Sequence, residues 1–264
     1  MIAVYRAATL RALRAALILI LGGAGASPVH AQVNTENMRA FDVEGFRTVL
    51  GGDVLVQSGN ADLFEIGINT RFDYRRDRHY TFLTGRLRYG EEGGSTFKNR
   101  AFGHLRYNYQ LLPWLVGEAF TQLQEDGFKL LQLRVLVGAG PRFRYVDSGT
   151  IGVFQGTTLM YEHENLDARE VTGHPVEQSV MRWSNYLNVR LNLTQQTSFI
   201  ATIYVQPRLD AFGDIRVLHD ATLAIAITEH LTLSTTLNLY YDSEPPDNIE
   251  DFDLELRNGI QVRF

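Results

Sequence analysis

Chemistry needs particular side chains within reach of one another, and this sequence offers few such groupings. A nucleophile beside a base requires a Ser or Thr and a His in hydrogen-bond range, with a third group to orient the imidazole. On an extended segment the spacing i, i+2 puts two side chains on one face, and His79/Thr81 and His230/Thr232 have that spacing. Neither pair has an evident acid to orient its histidine. Glu162-His163-Glu164 brings two carboxylates and a ring together, but alternation sends the carboxylates one way and the ring the other. Such alternating carboxylates, or the six acids between Asp242 and Asp253, are oxygen ligands of the kind Ca²⁺ takes. They are equally the ordinary content of a solvated rim. The expectation is therefore no catalytic residue, no cofactor and no metal.

The charged residues inside regular segments say more. Arg71, Arg75, Arg86, Arg88, Arg106, Arg134, Arg142, Arg182, Arg190, Arg208 and Arg216 are expected to share the inner face with Asp53, Glu65, Asp73, Glu118, Asp220 and Glu255. Folding the segments around 98–110 and 114–125 about Leu112 would set Arg106 opposite Glu118. A hairpin closing near Gly127 would bring Arg134 diagonal to the same glutamate, and opposite charges at cross-strand separations can pair. The lumen charge network expected from the sequence is thus Arg106, Glu118 and Arg134.

These side chains must be held by strands. In HLTLSTTLNLYYD (230–242), Leu231, Leu233, Leu237, Leu239 and Tyr241 share a face opposite His230, Thr232, Ser234, Thr236, Asn238, Tyr240 and Asp242. The ending NGIQVRF alternates in the same way, with Ile260, Val262 and Phe264 on the apolar face. Period two over ten or more residues is β structure. About twelve such segments follow one another between residue 49 and residue 264, each long enough to cross a hydrocarbon layer at a barrel tilt, which takes ~9–11 residues. The segments near 114–125 and 150–164 alternate least cleanly.

Connections after even-numbered segments are terse (RRD, LLP, LTQQT, EH). Those after odd-numbered ones tend to be longer and more acidic (EEGGSTFK, NLDAREVTGHPVEQ, SEPPDNIED). A barrel in an outer membrane has short periplasmic turns on one rim and long loops on the other. Arginines on lipid-facing positions at midplane would cost ~2–4 kcal/mol each, so the charged face must point inward. Tyr74, Tyr107, Tyr109 and Trp183 fall near segment ends, where aromatic rings settle at the headgroup level.

The first residues belong to export rather than to the fold. MIAVYRAATLRALR carries Arg6, Arg11 and Arg14 and no acid, the apolar run Ala15–Ala26 follows, and Val29-His30-Ala31 is a small-x-small cleavage pattern. The division expected is 1–31 signal peptide, 32–48 short periplasmic lead and 49–264 barrel. Losing those three arginines takes the formal charge of the 264-residue chain from −5 to −8, which argues against a nucleic-acid partner. The sequence contains no cysteine, so an exported chain of this composition is built without disulfides.

Residues 104–146, HLRYNYQLLPWLVGEAFTQLQEDGFKLLQLRVLVGAGPRFRYV, resemble the salt-induced outer-membrane protein family, a bacterial domain family of unknown function. The resemblance is carried by RYNY, LPWL with the following GEAF, and LQLRVLVGAGPRFR, with SGN (58–60) and FDYRRDRHY beside them. It implies an outer-membrane β-barrel and supplies no catalytic residues. Ile260, Val262 and Phe264 also resemble the C-terminal signal of bacterial outer-membrane proteins, which implies recognition by the barrel-insertion machinery.

The fold class expected is all-β: a single closed antiparallel transmembrane β-barrel of about twelve strands, preceded by a signal peptide. Its partners would be outer-membrane lipid and lipopolysaccharide in a Gram-negative envelope. The function expected is a non-enzymatic envelope barrel with a charged, largely ion-paired lumen. A narrow passive channel leaning toward anions is the alternative, and a hydrolase acting at the rim is the second alternative.

Overall fold

Twelve strands run the length of the described chain: β1 Gly45–Gln57, β2 Leu63–Arg76, β3 His79–Glu92, β4 Ser95–Leu112, β5 Leu115–Asp126 and β6 Leu131–Asp147 in the first half. The second half holds β7 Ile151–Leu166, β8 Glu177–Asn192, β9 Thr197–Pro207, β10 Ile215–Ala226, β11 Leu231–Asp242 and β12 Phe252–Val262. The computed structural model describes residues 44–58, 62–93, 95–127, 130–169, 171, 173–246 and 249–262. The expected signal peptide, most of the lead and Phe264 lie outside the described residues. β1 begins at Gly45, so residues 45–48, expected in the lead, are strand.

All twelve strands form one antiparallel sheet in chain order, each hairpin-paired with the next. Alternation makes this possible: each strand offers one apolar face, and successive hairpins keep those faces on the same side. The turns follow local chemistry. Asp77 takes a positive φ of 53° in the two-residue link 77–78, and Gly93 takes 56° between β3 and β4, as tight hairpins demand. Pro113-Trp114 forms the link between β4 and β5.

The three longest links share one rim, but loop length does not separate cleanly. Links 77–78, 113–114, 148–150, 193–196 and 227–230 lie at one end, and 58–62, 127–130, 167–176, 208–214 and 243–251 at the other. The four-residue link 127–130 is no longer than 193–196 and 227–230 on the opposite rim, and EEGGSTFK departs further. β3 and β4 run on to Glu92 and Ser95, so most of that expected loop is strand.

The outer face is apolar. Leu83, Leu105, Leu123, Val137, Leu159 and Leu187 point away from the sheet interior and are exposed. Toward the short-turn end they give way to aromatic rings: Tyr74, Trp114 and Tyr145 are exposed there, and Tyr107 accepts or donates at the His79 ring (Oη to Nδ1, 2.7 Å). The inner face is packed. Phe82, Phe154, Met160, Leu136 and Leu218 are buried, and Tyr186, Tyr204, Leu218 and Tyr240 cluster together. A second cluster, Leu131, Leu166 and Val171 against Leu130 and Val176, seals the long-loop end.

The sheet curls far enough for its inner side chains to meet across the middle. Arg216 of β10 bonds Glu162 and Glu164 of β7, and Tyr186 of β8 donates to Glu118 of β5 at 2.8 Å. Each contact joins strands three apart, about 14 Å along a flat sheet at ~4.8 Å per step. Only strong curvature brings them into hydrogen-bond range. The expected closure is not made: among the described residues β1 pairs with β2 alone and β12 with β11 alone. The two edge strands keep a free row of backbone groups, and all of β1 is exposed. No helix among the described residues is long and apolar enough to cross a membrane.

Candidate functional site

The inner face carries two tiers of charge. The tier near the long loops is built on β6, β7, β8, β10 and β11. Alternation on β7 points both Glu162 and Glu164 inward, where they meet three guanidinium groups. Arg134 lies 3.0 Å from Glu162 and its Nε donates to Glu164 at 2.9 Å. Arg182 donates to Glu162 at 2.6 Å and reaches Asp214 at 2.9 Å. Arg216 bonds Glu162, and donates to Asp242 at 2.8 Å, which also accepts from Tyr240 at 2.9 Å. All these residues are buried. Three cations and four carboxylates therefore share one buried network that spans the lumen, and each acid contacts at least one arginine. Buried charges persist in this form, paired and hydrogen-bonded.

The second tier lies nearer the short turns and combines charge with aromatic rings. Glu118 sits between Arg106 at 3.8 Å and Arg142 at 3.7 Å, and takes the Tyr186 hydroxyl. Arg142 and Arg190 each stack on the buried Phe154 ring, at 4.2 and 4.6 Å. Arg106 stands over Phe120 at 5.3 Å, and its Nε donates to His104 Nε2 at 3.3 Å. His104 itself lies between Phe82 and Phe120. Gly156 allows this packing: a Cβ there would sit 2.0 Å from the Tyr186 ring. Only a cavity of about 20 Å³ remains between Arg106, Glu118 and Tyr186, room for one water.

The expected network is rearranged. Arg106 stands opposite Phe120, and Glu118 stands opposite Asn108, so the Arg106–Glu118 contact is diagonal. Arg134 stands opposite Gln124, and Glu118 stands opposite Gly140. Arg134 therefore does not meet Glu118; Arg142 does. The reason is where the turns fall. The β4–β5 turn is centred on Pro113-Trp114 rather than Leu112, and β5 continues to Asp126, with Leu130 at a positive φ of 57° completing the next link. Each one-residue displacement of a turn centre moves the cross-strand partner by two residues, a whole step on the same face.

Two regions of the inner face are less filled. Between the short turns a cavity of about 750 Å³ is lined by Thr150, Asn192, Thr197, Ser198, Ala224 and Thr232, without a charged residue. Along β1, β2, β3 and β12 the arginines are more accessible: Arg88 contacts Glu65 at 3.0 Å and Asp53 at 3.6 Å, and Arg257 contacts Glu255 at 2.6 Å. Arg86 on β3 lies within electrostatic reach of Arg257 on β12.

The groupings that could have carried catalysis fall apart or fall short. His79 and Thr81 face outward, and His79 is taken up by Tyr107 and the Tyr109 ring. His230 belongs to the link 227–230, not to a strand. His163 faces away from its two glutamates and meets Ser179, its cross-strand partner on β8, at 2.9 Å (Nδ1 to Oγ). That Ser–His pair escaped an i, i+2 search because its members are on different strands. Its nearest acid, Glu177, is 3.9 Å from Nε2 and exposed, too far to orient the ring by a hydrogen bond. Among the described residues no three His, Asp or Glu form a metal-holding group. Ile260 faces outward and is exposed, and Val262 pairs with Leu231 at the end of β12.

In the loops, charge pairs fix local turns. Asp167 accepts from the backbone and side chain of Arg169, and these bonds hold its carboxyl at about 2. The Arg208 guanidinium, hydrogen-bonded to Asp210, lowers that carboxyl below its ordinary range.

A search of curated proteins finds no match to this chain. Among solved structures, the chain is similar to the NanC porin at 10% identity, covering 82% of this chain and 99% of the porin with a TM-score of 0.47. It is also similar to a bacterial polysaccharide outer membrane secretin at 12% identity, covering 83% of this chain and 80% of the other, with a TM-score of 0.46. The family model described as "Protein of unknown function, DUF481" matches residues 50–264, and the chain belongs to that family.

Proposed function

We propose that this chain is an integral β-barrel of a Gram-negative outer membrane whose lumen is braced and largely closed by ion pairs and aromatic packing. On this reading it acts as a non-enzymatic envelope barrel. One observation carries the proposal: apolar side chains are exposed on one face while arginines and carboxylates are buried on the other. A water-soluble sheet protein would show the reverse. Hydrocarbon outside and a charged interior account for both faces at once. An export signal in residues 1–31, a lead on the periplasmic side and short turns at the periplasmic rim agree with this placement. So does the resemblance of residues 104–146 to the salt-induced outer-membrane proteins. Contacts with lipid and lipopolysaccharide follow from the apolar belt, and Ile260, Val262 and Phe264 would present the insertion signal.

A narrow passive channel leaning toward anions is the second reading. The open cavity among the short turns and the accessible arginines on β3 and β12 favour it. Planar-bilayer recording of the purified protein separates the two. The braced-barrel reading expects no steady conductance. A steady conductance whose ion preference reverses in Arg106→Glu or Arg134→Glu would establish the channel.

A further inference from the structure

The unpaired edges of β1 and β12 contain the information needed to join them. Across the sheet Gly45 pairs with Arg75, Arg75 with Tyr80, Tyr80 with Asn108 and Asn108 with Glu118. At the far side Asn185, Val205, Val217, Tyr241 and Phe252 lie in one row. The row leaving the start of β1 reaches the chain just before Phe252. The two strands run in opposite directions, so the edges can lie side by side only if the sheet closes with a stagger of about one strand length.

Facing limits the choice to registers two residues apart. On β1, Asp53 stands across from Gly67 and Arg88 on the inner face, while Leu50, Val54 and Val56 point outward. On β12, Glu255 and Arg257 are inward, and Leu254, Leu256 and Ile260 are outward. We propose that β1 docks on β12 of the same chain with Asp53 opposite Arg257 and Val54 opposite Leu256, closing the barrel at that register. The proposal rests on the barrel reading above.

Charge selects this register. Sliding one step one way sets Asp53 against Glu255, two carboxylates face to face, which is unfavourable. Sliding the other way sets Asp53 against Gly259 and Arg257 against Leu55, so neither charge gains a partner across the seam beyond the Arg88 and Glu255 each already contacts. In the chosen register Asn258, the polar residue on the outer face of β12, stands against Gly52, and the neighbouring outer pairs are Leu50–Ile260 and Val54–Leu256. Asn258 keeps its acceptor bond from Thr235 at 2.8 Å. Geometry agrees: the stagger is then about fourteen residues over the twelve strands. At ~3.3 Å rise and ~4.8 Å spacing this tilts the strands by ~40°, within the usual barrel range.

The absence of cysteine makes the test direct. Three double variants of the full chain, V54C/L254C, V54C/L256C and V54C/N258C, are inserted into lipid vesicles, oxidised and scored for intramolecular disulfide. V54C/L256C is expected to cross-link about tenfold more than the other two, because a two-residue offset places Cα atoms beyond the ~7 Å that a disulfide spans. A dominant link in either of the others overturns the register but leaves the barrel closed. No intramolecular link in any variant overturns the register, and links only between copies overturn the closed barrel as well. A charge exchange adds a second reading: D53R should lower the unfolding midpoint, and D53R/R257D should restore it. No restoration would also overturn the pairing.

Discussion

Replacing Glu162 by Gln should be among the most destabilising single changes on the inner face. Glu162 stands against Arg134 at 3.0 Å, Arg182 at 2.6 Å and Arg216. With an effective dielectric of about 20, one unit pair near 3 Å is worth ~5 kcal/mol before desolvation. Three such contacts far exceed what survives, because each ion has also given up its water. Measured costs of removing one partner from a buried pair are ~3–5 kcal/mol, and Glu164, Asp214 and Asp242 remain to hold the three arginines. The expected loss is therefore about 3–5 kcal/mol, read as a shift of the urea midpoint for the vesicle-inserted protein by tryptophan fluorescence. Arg182→Gln should cost a similar amount, and E162Q/R182Q should cost clearly less than the two changes together, since contacting sites are not additive. A loss under about 1 kcal/mol for E162Q, or strict additivity in the double variant, would refute the idea that this network holds the lumen shut.

Other outcomes follow from single contacts. Gly156→Ala places a methyl group where the Tyr186 ring lies; it should cost ~1–3 kcal/mol, as overpacking does, and alter the near-UV circular dichroism of the tyrosine cluster. The Asp167 carboxyl, held at about 2 by Arg169, should titrate there by carbon NMR, and Arg169→Ala should return it toward ~3.9. Because the folded value lies below the unfolded one, this bond supports the loop above about pH 4 and loses its contribution as the pH falls toward 2. Ser179→Ala should leave any ester hydrolysis by the purified protein unchanged; loss of hydrolysis in that variant would revive the rim enzyme.

Period two made the strands readable, because a face that meets hydrocarbon and a face that meets charge leave a mark on every second residue. Even β5, with Glu118 beside Phe120, and β7, with Glu162 beside Met160, lie where alternation places them. Their mixed inner faces are why the pattern is weak there. Partners were harder to read. Arg134 pairs with Glu162 and Glu164 rather than Glu118 because register depends on the turn centre, and Leu130 at positive φ is not foreseeable from its residue type. Arg216–Glu162 and Tyr186–Glu118 cross the curled sheet, and no sequence spacing encodes a contact between strands three apart. The open edge between β1 and β12 likewise departs from the closed barrel expected, since closure depends on two segments at opposite ends of the chain.

The most direct measurement is a single-cysteine spin-label scan along β7 from Thr157 to Glu162 in lipid vesicles, comparing collisions with oxygen, which concentrates in hydrocarbon, and with a water-soluble nickel chelate. Labels at Thr157, Leu159 and Tyr161 should meet oxygen, and labels at Thr158, Met160 and Glu162 should be shielded from it. Equal access to both reagents at every position, or nickel reaching the odd positions at mid-strand, would contradict a lipid-facing exterior around a charged interior.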